Sequence, residues 1–481
     1  MFFQAIKTPG IAHFAYVLGS DGEALVVDPR RDFDVYLDVL QAQGLRLRYV
    51  VQTHRQEDFV LGTAELARLT GAKVVAGDHS LSAYADVRLS DGERLQLGSL
   101  CLLALHTPGH TPESMSWAIF LDCRPTQAWG VFTGDALFAG EAGRTDLTDP
   151  ARTDENAGIL YDVLQQKILP LGDQTLVLPA HGSGSVCGSN IADRDWTTLG
   201  IERHTNPAFT SSREEFIQRK VRERLPRPPY FSRMEEVNLR GGIPLAHEPR
   251  AIPLLSPRDF QQATRARGAL VIDAREPEGF AGGHIPGSLS IWMGGLSVFG
   301  GWVARHDTPL FLVLPEQAEP TKAVLSLARI GLDGVEGILA GGIGAWRKLG
   351  LPLQRHHTLT PSELVEFPER YQKLDVREVS EFEEGHLANA RHAYVGELEK
   401  RLDELKLRKE APVLVTCGVG HRAGLATSIL LRHDFKDVSN LLGGMGAWKR
   451  LDLPTEEGPP RPVEAVEREE QPAPPPTPPA P

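Results

Sequence analysis

From residue 1 to about 245 short apolar runs alternate with stretches whose apolar positions recur every three or four residues. The runs predict strands at 14–19 (FAYVLG), 24–28 (ALVVD), 49–53 (YVVQT), 73–76 (KVVA), 99–105 (SLCLLAL), 131–133 (VFT) and 175–179 (TLVLP). The longer period predicts helices at 32–43, 57–70 and 155–169, the last with Asp154 as its N-cap. Strands alternating with helices point to an α/β fold. Residues 226–254 are rich in Pro, Arg and Gly and read as a linker. Two further stretches, 255–353 and 358–454, each open on a strand-then-helix pattern, ALVIDAREPEGF and KLDVREVSEF. From 456 to 481 the composition collapses to Pro, Glu and Ala; such a tail buries almost nothing and is expected to be disordered.

The two stretches are copies of one domain. DAREPEGFAGGH at 273–284 returns as DVREVSEFEEGH at 375–386, and LAGGIGAW at 339–346 as LLGGMGAW at 441–448, both shifted by 102 residues. A constant shift over such a length marks a duplication. One copy has lost its reactive centre. In VLVTCGVGHRA, Cys417 closes an apolar run and a glycine-rich loop leads to Arg422; the equivalent positions of the first copy are Pro315 and Pro320.

Composition narrows the classes. With 481 residues, the length prior is about three domains. A net charge of −12 without a basic stripe argues against nucleic acid as a partner. No apolar run reaches the ~18 residues of a membrane span, so no membrane association is expected. The N-terminus lacks the pattern of a signal peptide. Cys101, Cys123, Cys187 and Cys417 contain no CxxC pair and fit neither a disulfide framework nor a zinc ribbon, which points to a reducing, cytoplasmic setting.

Around Cys417 the order Cys-Gly-Val-Gly-His-Arg at a strand end lets backbone N–H groups face the sulfur. Their partial charge, with the helix N-terminus, favours a thiolate or persulfide. A buried cysteine acting as a small hydrophobe is the plain alternative; Gly418, Gly420 and Arg422 speak against it. The region resembles the rhodanese sulfurtransferases over both repeats, in D-x-R-E…G-H, then C-x-x-x-x-R, then G-G-x-x-A-W. The resemblance implies that Cys417 carries a sulfane sulfur, with Arg422 as its catalytic partner and Gly418, Gly420 and His421 lining the substrate. Related phosphatases have one more residue between Cys and Arg, so phosphate chemistry is disfavoured. His284, His386, Asp273 and Asp375 read as fold-setting, since the inert copy keeps its pair.

In the first 245 residues His54, His110, Asp135 and His181 all follow apolar runs and stand beside Gly or Pro turns. Together they resemble the metallo-β-lactamase superfamily, whose T-H-x-H-x-D-H motif is altered here. Thr53, His54 and Asp58 are kept, Gln56 replaces the second histidine and Phe59 the last. A two-metal centre would lack an imidazole at Phe59. His54, His110 and Asp135 remain, the two-histidine, one-carboxylate set of non-haem Fe(II) oxygenases. The persulfide dioxygenase branch is thought to use these three equivalents for one Fe(II) per chain, and GEAGRTDL at 140–147 resembles that branch too. By that resemblance Arg144 holds a substrate carboxylate, or else forms a fold-stabilising ion pair. Asp58 and His181 then orient ligands or substrate from behind.

The combination resembles bacterial persulfide dioxygenase–sulfurtransferase fusions. It implies an N-terminal αββα sandwich (1–245), an inactive rhodanese-like domain (255–353), an active one (358–454) and a tail (456–481). The expected activity is oxidation of a small-molecule thiol persulfide by O2 to sulfite and thiol, with sulfur transfer through Cys417 between sulfite and thiosulfate. Two alternatives stay open: a thiolester hydrolase of the glyoxalase II type using Zn(II), and a sulfurtransferase with a non-catalytic scaffold or sensor in front. The resemblance also allows a homo-oligomer.

Overall fold

The computed structural model describes residues 1–122, 127–265 and 268–462. It contains two compact units, Met1–Glu248 with Leu325–Asp333, and Pro249–Val324 with Gly334 onward. No helix among the described residues is long and apolar enough to cross a membrane.

Two six-stranded sheets form the centre of the first unit. One runs from edge to edge Phe2–Thr8, His13–Ser20, Glu23–Val27, Arg46–Val51, Lys73–Gly77, Val87–Leu89. The other runs Thr197–Thr198, Leu176–Pro179, Gly130–Gly134, Met115–Phe120, Leu100–His106, Arg94–Leu97. In His13–Ser20 the period-two alternation of a strand is plain. Phe14, Tyr16 and Leu18 meet Trp117, Phe132 and Leu178 between the sheets. Ala15 and Val17 point outward, packing with Tyr36 and Leu40 of helix Asp34–Ala42 and Leu66 of helix Thr63–Thr70. Leu160, Leu164 and Phe216 cover the far face of the second sheet. Strands buried on both faces carry continuous apolar runs, and the layers are the expected αββα sandwich.

Several local expectations change. Residues 57–62 are loop, and the helix begins only at Thr63. The loop's backbone finds partners outside a helix: Asn238 Nδ2 donates to the carbonyls of Gln56 (2.6 Å) and Phe59 (2.8 Å), and its Oδ1 accepts from Leu61 N–H (3.0 Å). Asn238 itself ends a helix, Phe231–Asn238, inside the stretch expected to be a linker. Phe231 and Met234 are buried, so this stretch belongs to the first unit's core. The third helix begins at Thr153; a turn at Pro150–Arg152 capped by Asp149 precedes it and leaves Asp154 in the first turn rather than at the cap. Cys101 is disulfide-bonded, contrary to the reading of four unbridged thiols.

The second unit holds both repeats. Each contains a five-stranded sheet with every pairing parallel: Leu254–Leu255, Val335–Leu339, Leu310–Val313, Leu270–Asp273, Leu289–Ser290, and then His357–Leu359, Val438–Leu441, Val413–Thr416, Gln372–Asp375, Arg391–His392. The paired motifs repeat their bonds. Arg275 grips Asp273 and the Gly283 carbonyl as Arg377 grips Asp375 and the Gly385 carbonyl. His284 lies flat on Phe280 at 3.8 Å and His386 on Phe382 at 3.7 Å. These residues set the fold in both copies. Glu456 pairs with His386 through two backbone bonds; the remainder of the expected disordered tail, from 463, lies outside the described residues.

Candidate metal and thiol sites

Four strand ends converge in the first unit. His54 lies in the loop after Arg46–Val51, His110 between Leu100–His106 and Met115–Phe120, Asp135 just past Gly130–Gly134 and His181 just past Leu176–Pro179. Gly134 permits the convergence: its φ is +54°, and a Cβ there would stand 2.7 Å from Thr53 Oγ1.

The hydrogen bonds around each imidazole fix its tautomer. Thr53 Oγ1 donates to Asp28 Oδ2 (2.6 Å), so it accepts from His54 Nδ1 (2.9 Å). His110 Nδ1 donates to the Arg144 carbonyl (2.9 Å). In both rings Nε2 is left facing the cluster, the arrangement by which ligating histidines are held from behind.

Around these nitrogens stand two carboxylates. Asp135 Oδ2 is 3.8 Å from His54 Nε2 and 3.6 Å from His110 Nε2. Glu57 Oε1 is 2.8 Å from His110 Nε2, and its Oε2 is 3.9 Å from His54 Nε2. One donor atom from each of His54, Glu57, His110 and Asp135 falls within 4.8 Å of the others. His54 Nε2, His110 Nε2 and Glu57 Oε2 are buried without a hydrogen-bond partner. Orphaned donors of this kind fit a divalent cation. In the metal-free chain a proton takes that part: burial opposes charge on His110, but Glu57 and Asp135 push it up to about 9. Burial likewise opposes ionisation of Asp135, yet His181, His54 and His110 hold it below the ordinary carboxylate range.

The three expected ligands thus come together, and Glu57 joins them. Sequence reasoning missed it because the motif reserves no role for that position; its one signal was an acid inside QTHRQEDF. Gln56 lies behind His54, its Nε2 3.4 Å from Nδ1. The Phe59 ring packs on buried His13 at 4.2 Å. Asp58 and His181 sit on the far side of Asp135: His181 Nδ1 donates to Asp135 Oδ1 at 2.8 Å, and its Nε2 faces Asp58.

At Arg144 the structure favours the second of the two expected roles. The side chain's five N–H groups reach Asp146 twice and the carbonyls of Val186, Leu225 and Pro226, all within 3.2 Å. No donor remains for a substrate carboxylate, and the fold-stabilising ion pair is the reading that fits.

At the other site Cys417 follows the central strand Val413–Thr416 and is 1% exposed. Gly420 N–H donates to its Sγ at 3.1 Å, with Gly420 at φ +111°. The G-G-M-G-A-W motif clamps the loop from below: Met445 N–H donates to the Cys417 carbonyl (2.7 Å) and Gly446 N–H to that of Gly418 (2.8 Å). Gly444 must lack a side chain, because its Cβ would collide with the Cys417 carbonyl. Arg422 makes a two-point pair with Glu381 at 2.6 and 2.7 Å. Glu381 corresponds to Gly279 in the first repeat, so that copy lacks the thiol, the guanidinium and its partner together.

The first repeat also touches the Cys417 loop. His421 stacks on Trp292 (4.4 Å, 11°) and its Nε2 meets Glu276 Oε2 at 2.9 Å. Helix His421–Arg432 passes close to Pro277, which leaves no room for a side chain at Gly424.

Comparison with known proteins agrees with both halves. The metallo-beta-lactamase superfamily matches residues 8–181, and the rhodanese-like domain matches 256–349 and again 360–451. Persulfide dioxygenase ETHE1, mitochondrial, of Bos taurus is 31% identical over 243 residues, 49% of this chain and 86% of that protein. A hydroxyacylglutathione hydrolase of Methylobacillus flagellatus is 30% identical over 209 residues, 42% of this chain and 72% of that one. A metallo-beta-lactamase crystal structure from Staphylococcus aureus superposes with TM-score 0.61 at 27% identity, covering 70% of this chain and 98% of that one.

Proposed function

Because the chain belongs to the metallo-beta-lactamase superfamily beside the ETHE1 persulfide dioxygenases, and carries tandem rhodanese-like domains behind that fold, we propose that it is a two-site enzyme of persulfide chemistry. The first site, in a domain at 1–245, oxidises a low-molecular-weight thiol persulfide: RSSH, O2 and water give RSH, sulfite and two protons. One Fe(II) supplies the O2 chemistry that side chains lack. His54 and His110 would hold it through Nε2 and Asp135 through Oδ2, with Glu57 beside them. Thr53 and the Arg144 carbonyl keep both imidazoles in the right tautomer, and His181 orients Asp135 from behind.

The second site, in a domain at 358–454, holds sulfur on Cys417 as a persulfide. Sulfite attacks the outer sulfur, the S–S bond breaks, Cys417 leaves as thiolate and thiosulfate forms; the reverse charges the cysteine. The Gly420 N–H steadies the sulfur anion. Arg422, fixed by Glu381, supplies positive charge for the incoming oxyanion, and Gly418 and His421 form the lip. The domain at 255–353 does no chemistry of its own.

The observation that carries the oxidative reading is the buried cluster of two imidazoles and two carboxylates with inward, unpartnered Nε2 atoms. The test is anaerobic purification, iron and zinc measured per chain, and O2 uptake with glutathione persulfide. Iron near one per chain with persulfide-dependent uptake is expected. Zinc with thiolester cleavage would replace this reading by the glyoxalase II type of hydrolase, and no bound metal would leave a scaffold or sensor.

A further inference from the structure

Val438–Leu441 is an inner strand of its sheet, paired with His357–Leu359 on one side and Val413–Thr416 on the other. All four of its residues are buried. Such a strand calls for apolar side chains, yet Asn440 stands in it, 0% exposed. The 102-residue shift pairs Asn440 with Ile338, which is buried at the corresponding place in the first repeat. The copy without the thiol carries the apolar residue, and the copy with it carries an amide.

Of the two polar atoms of that amide only one has a partner. Asn440 Nδ2 donates to the Gly420 carbonyl at 3.0 Å, while Oδ1 is buried without a hydrogen bond. An unpaired buried oxygen destabilises the core, so Asn440 serves the fold less well than isoleucine would. What it serves is Gly420. That residue sits at φ +111° and ψ −20°, a conformation open to glycine, and glycine has no side chain to hold it there. Two donors pin its carbonyl: Gly424 N–H at 2.9 Å, from the helix His421–Arg432, and Asn440 Nδ2 from the strand. The N–H of the same glycine then faces Cys417 Sγ at 3.1 Å. In the first repeat Ala318 replaces Gly420, no sulfur needs a donor, and Ile338 fills the space.

We propose that Asn440 is a positioning residue for Cys417: by holding the Gly420 carbonyl it aims the Gly420 N–H at the sulfur and favours the thiolate. The amide acts through the loop, not on the sulfur itself. The inference rests on the sulfur-transfer reading of Cys417 and adds to it a residue outside the C-x-x-x-x-R motif. The charged groups around the sulfur are separate from it. Arg422 lies within electrostatic reach of Cys417, Glu381 and Tyr394 act on that arginine, and His421 opens the helix.

The test uses the full-length protein with Asn440→Leu, which removes the donor and the orphaned oxygen together at similar size. Alkylation by iodoacetamide is followed across pH at the Cys417 peptide by mass spectrometry, beside sulfur transfer from thiosulfate and urea unfolding. Alkylation near neutral pH should fall about tenfold and recover at high pH, so that its pH profile moves up by about one unit. Sulfur transfer at neutral pH should fall by a similar factor, with the unfolding midpoint no lower than wild type. Asn440→Ile, the first repeat's own residue, should behave alike and serves if the leucine variant does not fold. A profile that stays in place in a folded variant overturns the proposal. So does a rate lowered equally at every pH, which marks lost access to the thiol. Wild-type protein that transfers no sulfur, while its alkylation profile still answers to Asn440, would remove the sulfurtransferase reading and leave the role of Asn440 standing.

Discussion

The two repeats share strand order, the Asp–Arg–Gly carbonyl network, the His–Phe stack and the Trp that closes each copy on a proline carbonyl. They differ along the whole loop, where PEQAEP at 315–320 stands for CGVGHR at 417–422, and at the partner of Arg422, where Gly279 stands for Glu381. The network that shapes the sheet is kept, and the thiol, its glycine loop and its guanidinium are gone. Pro320 even suits the fold, because it opens a helix at the position where a missing N–H costs nothing. The determinants of architecture and of reactivity are therefore separable residues, and mutation can address each set alone.

The hardest break is Cys417→Ser. Sulfur transfer from thiosulfate should fall to background, while persulfide-dependent O2 uptake stays within about twofold of wild type, since the proposed metal cluster is untouched. Loss of both in a folded variant would mean the two activities are not separable.

Next in size, Asp375→Asn and Asp273→Asn remove the carboxylate under a partly or fully buried arginine in each copy. Stranding such a charge costs about 3–5 kcal/mol, so urea unfolding should show a lower midpoint for both. The larger loss is expected for Asp375, whose partner Arg377 is 4% exposed against 14% for Arg275. A marked effect in one copy alone would show that the shared network does not do the same work twice.

Glu381→Gln tests what the first copy lacks. A hydrogen bond to a charged group contributes about 1.5–3 kcal/mol, so sulfur transfer should drop roughly ten- to a hundredfold with Cys417 still able to take up sulfur. Unchanged turnover would leave Gly279 as an incidental difference.

The smallest effect contrasts the two units. In the metal-free chain His110 is raised from 6.5 to about 9. Its contribution to stability is fully present below about pH 6.5 and fades as the pH climbs through about 9. A metal must displace that proton, so apparent Fe(II) affinity should rise with pH over this window. Cys417 lies outside that cluster, so its sulfur transfer should not follow that curve. Affinity flat from pH 6 to 9 would remove His110 from the ligand set.

The sequence disclosed most where chemistry is tied to a motif. The duplication, the loss of Cys417's counterpart and the convergence of His54, His110 and Asp135 were legible because each sits in a marked loop at the end of an apolar strand. Glu57 was not, since nothing in its spacing says which way a loop side chain turns. The helix at 57–70 failed for a related reason: its first residues looked periodic, but a distant asparagine takes their carbonyls. The two roles open to Arg144 could not be separated from sequence, because a cation in a recognised segment looks available until its five donors are counted.

Asn238 carries a practical consequence for anyone redrawing this molecule. The superfamily match ends at residue 181, yet the loop bearing His54 and Glu57 is tied at three points to a side chain more than fifty positions beyond it. An excised fragment cut at the family boundary would keep every ligand on paper and lose the splint that keeps two of them aligned. The minimal metal-holding module is set by that amide, and a graft or truncation should be measured from it.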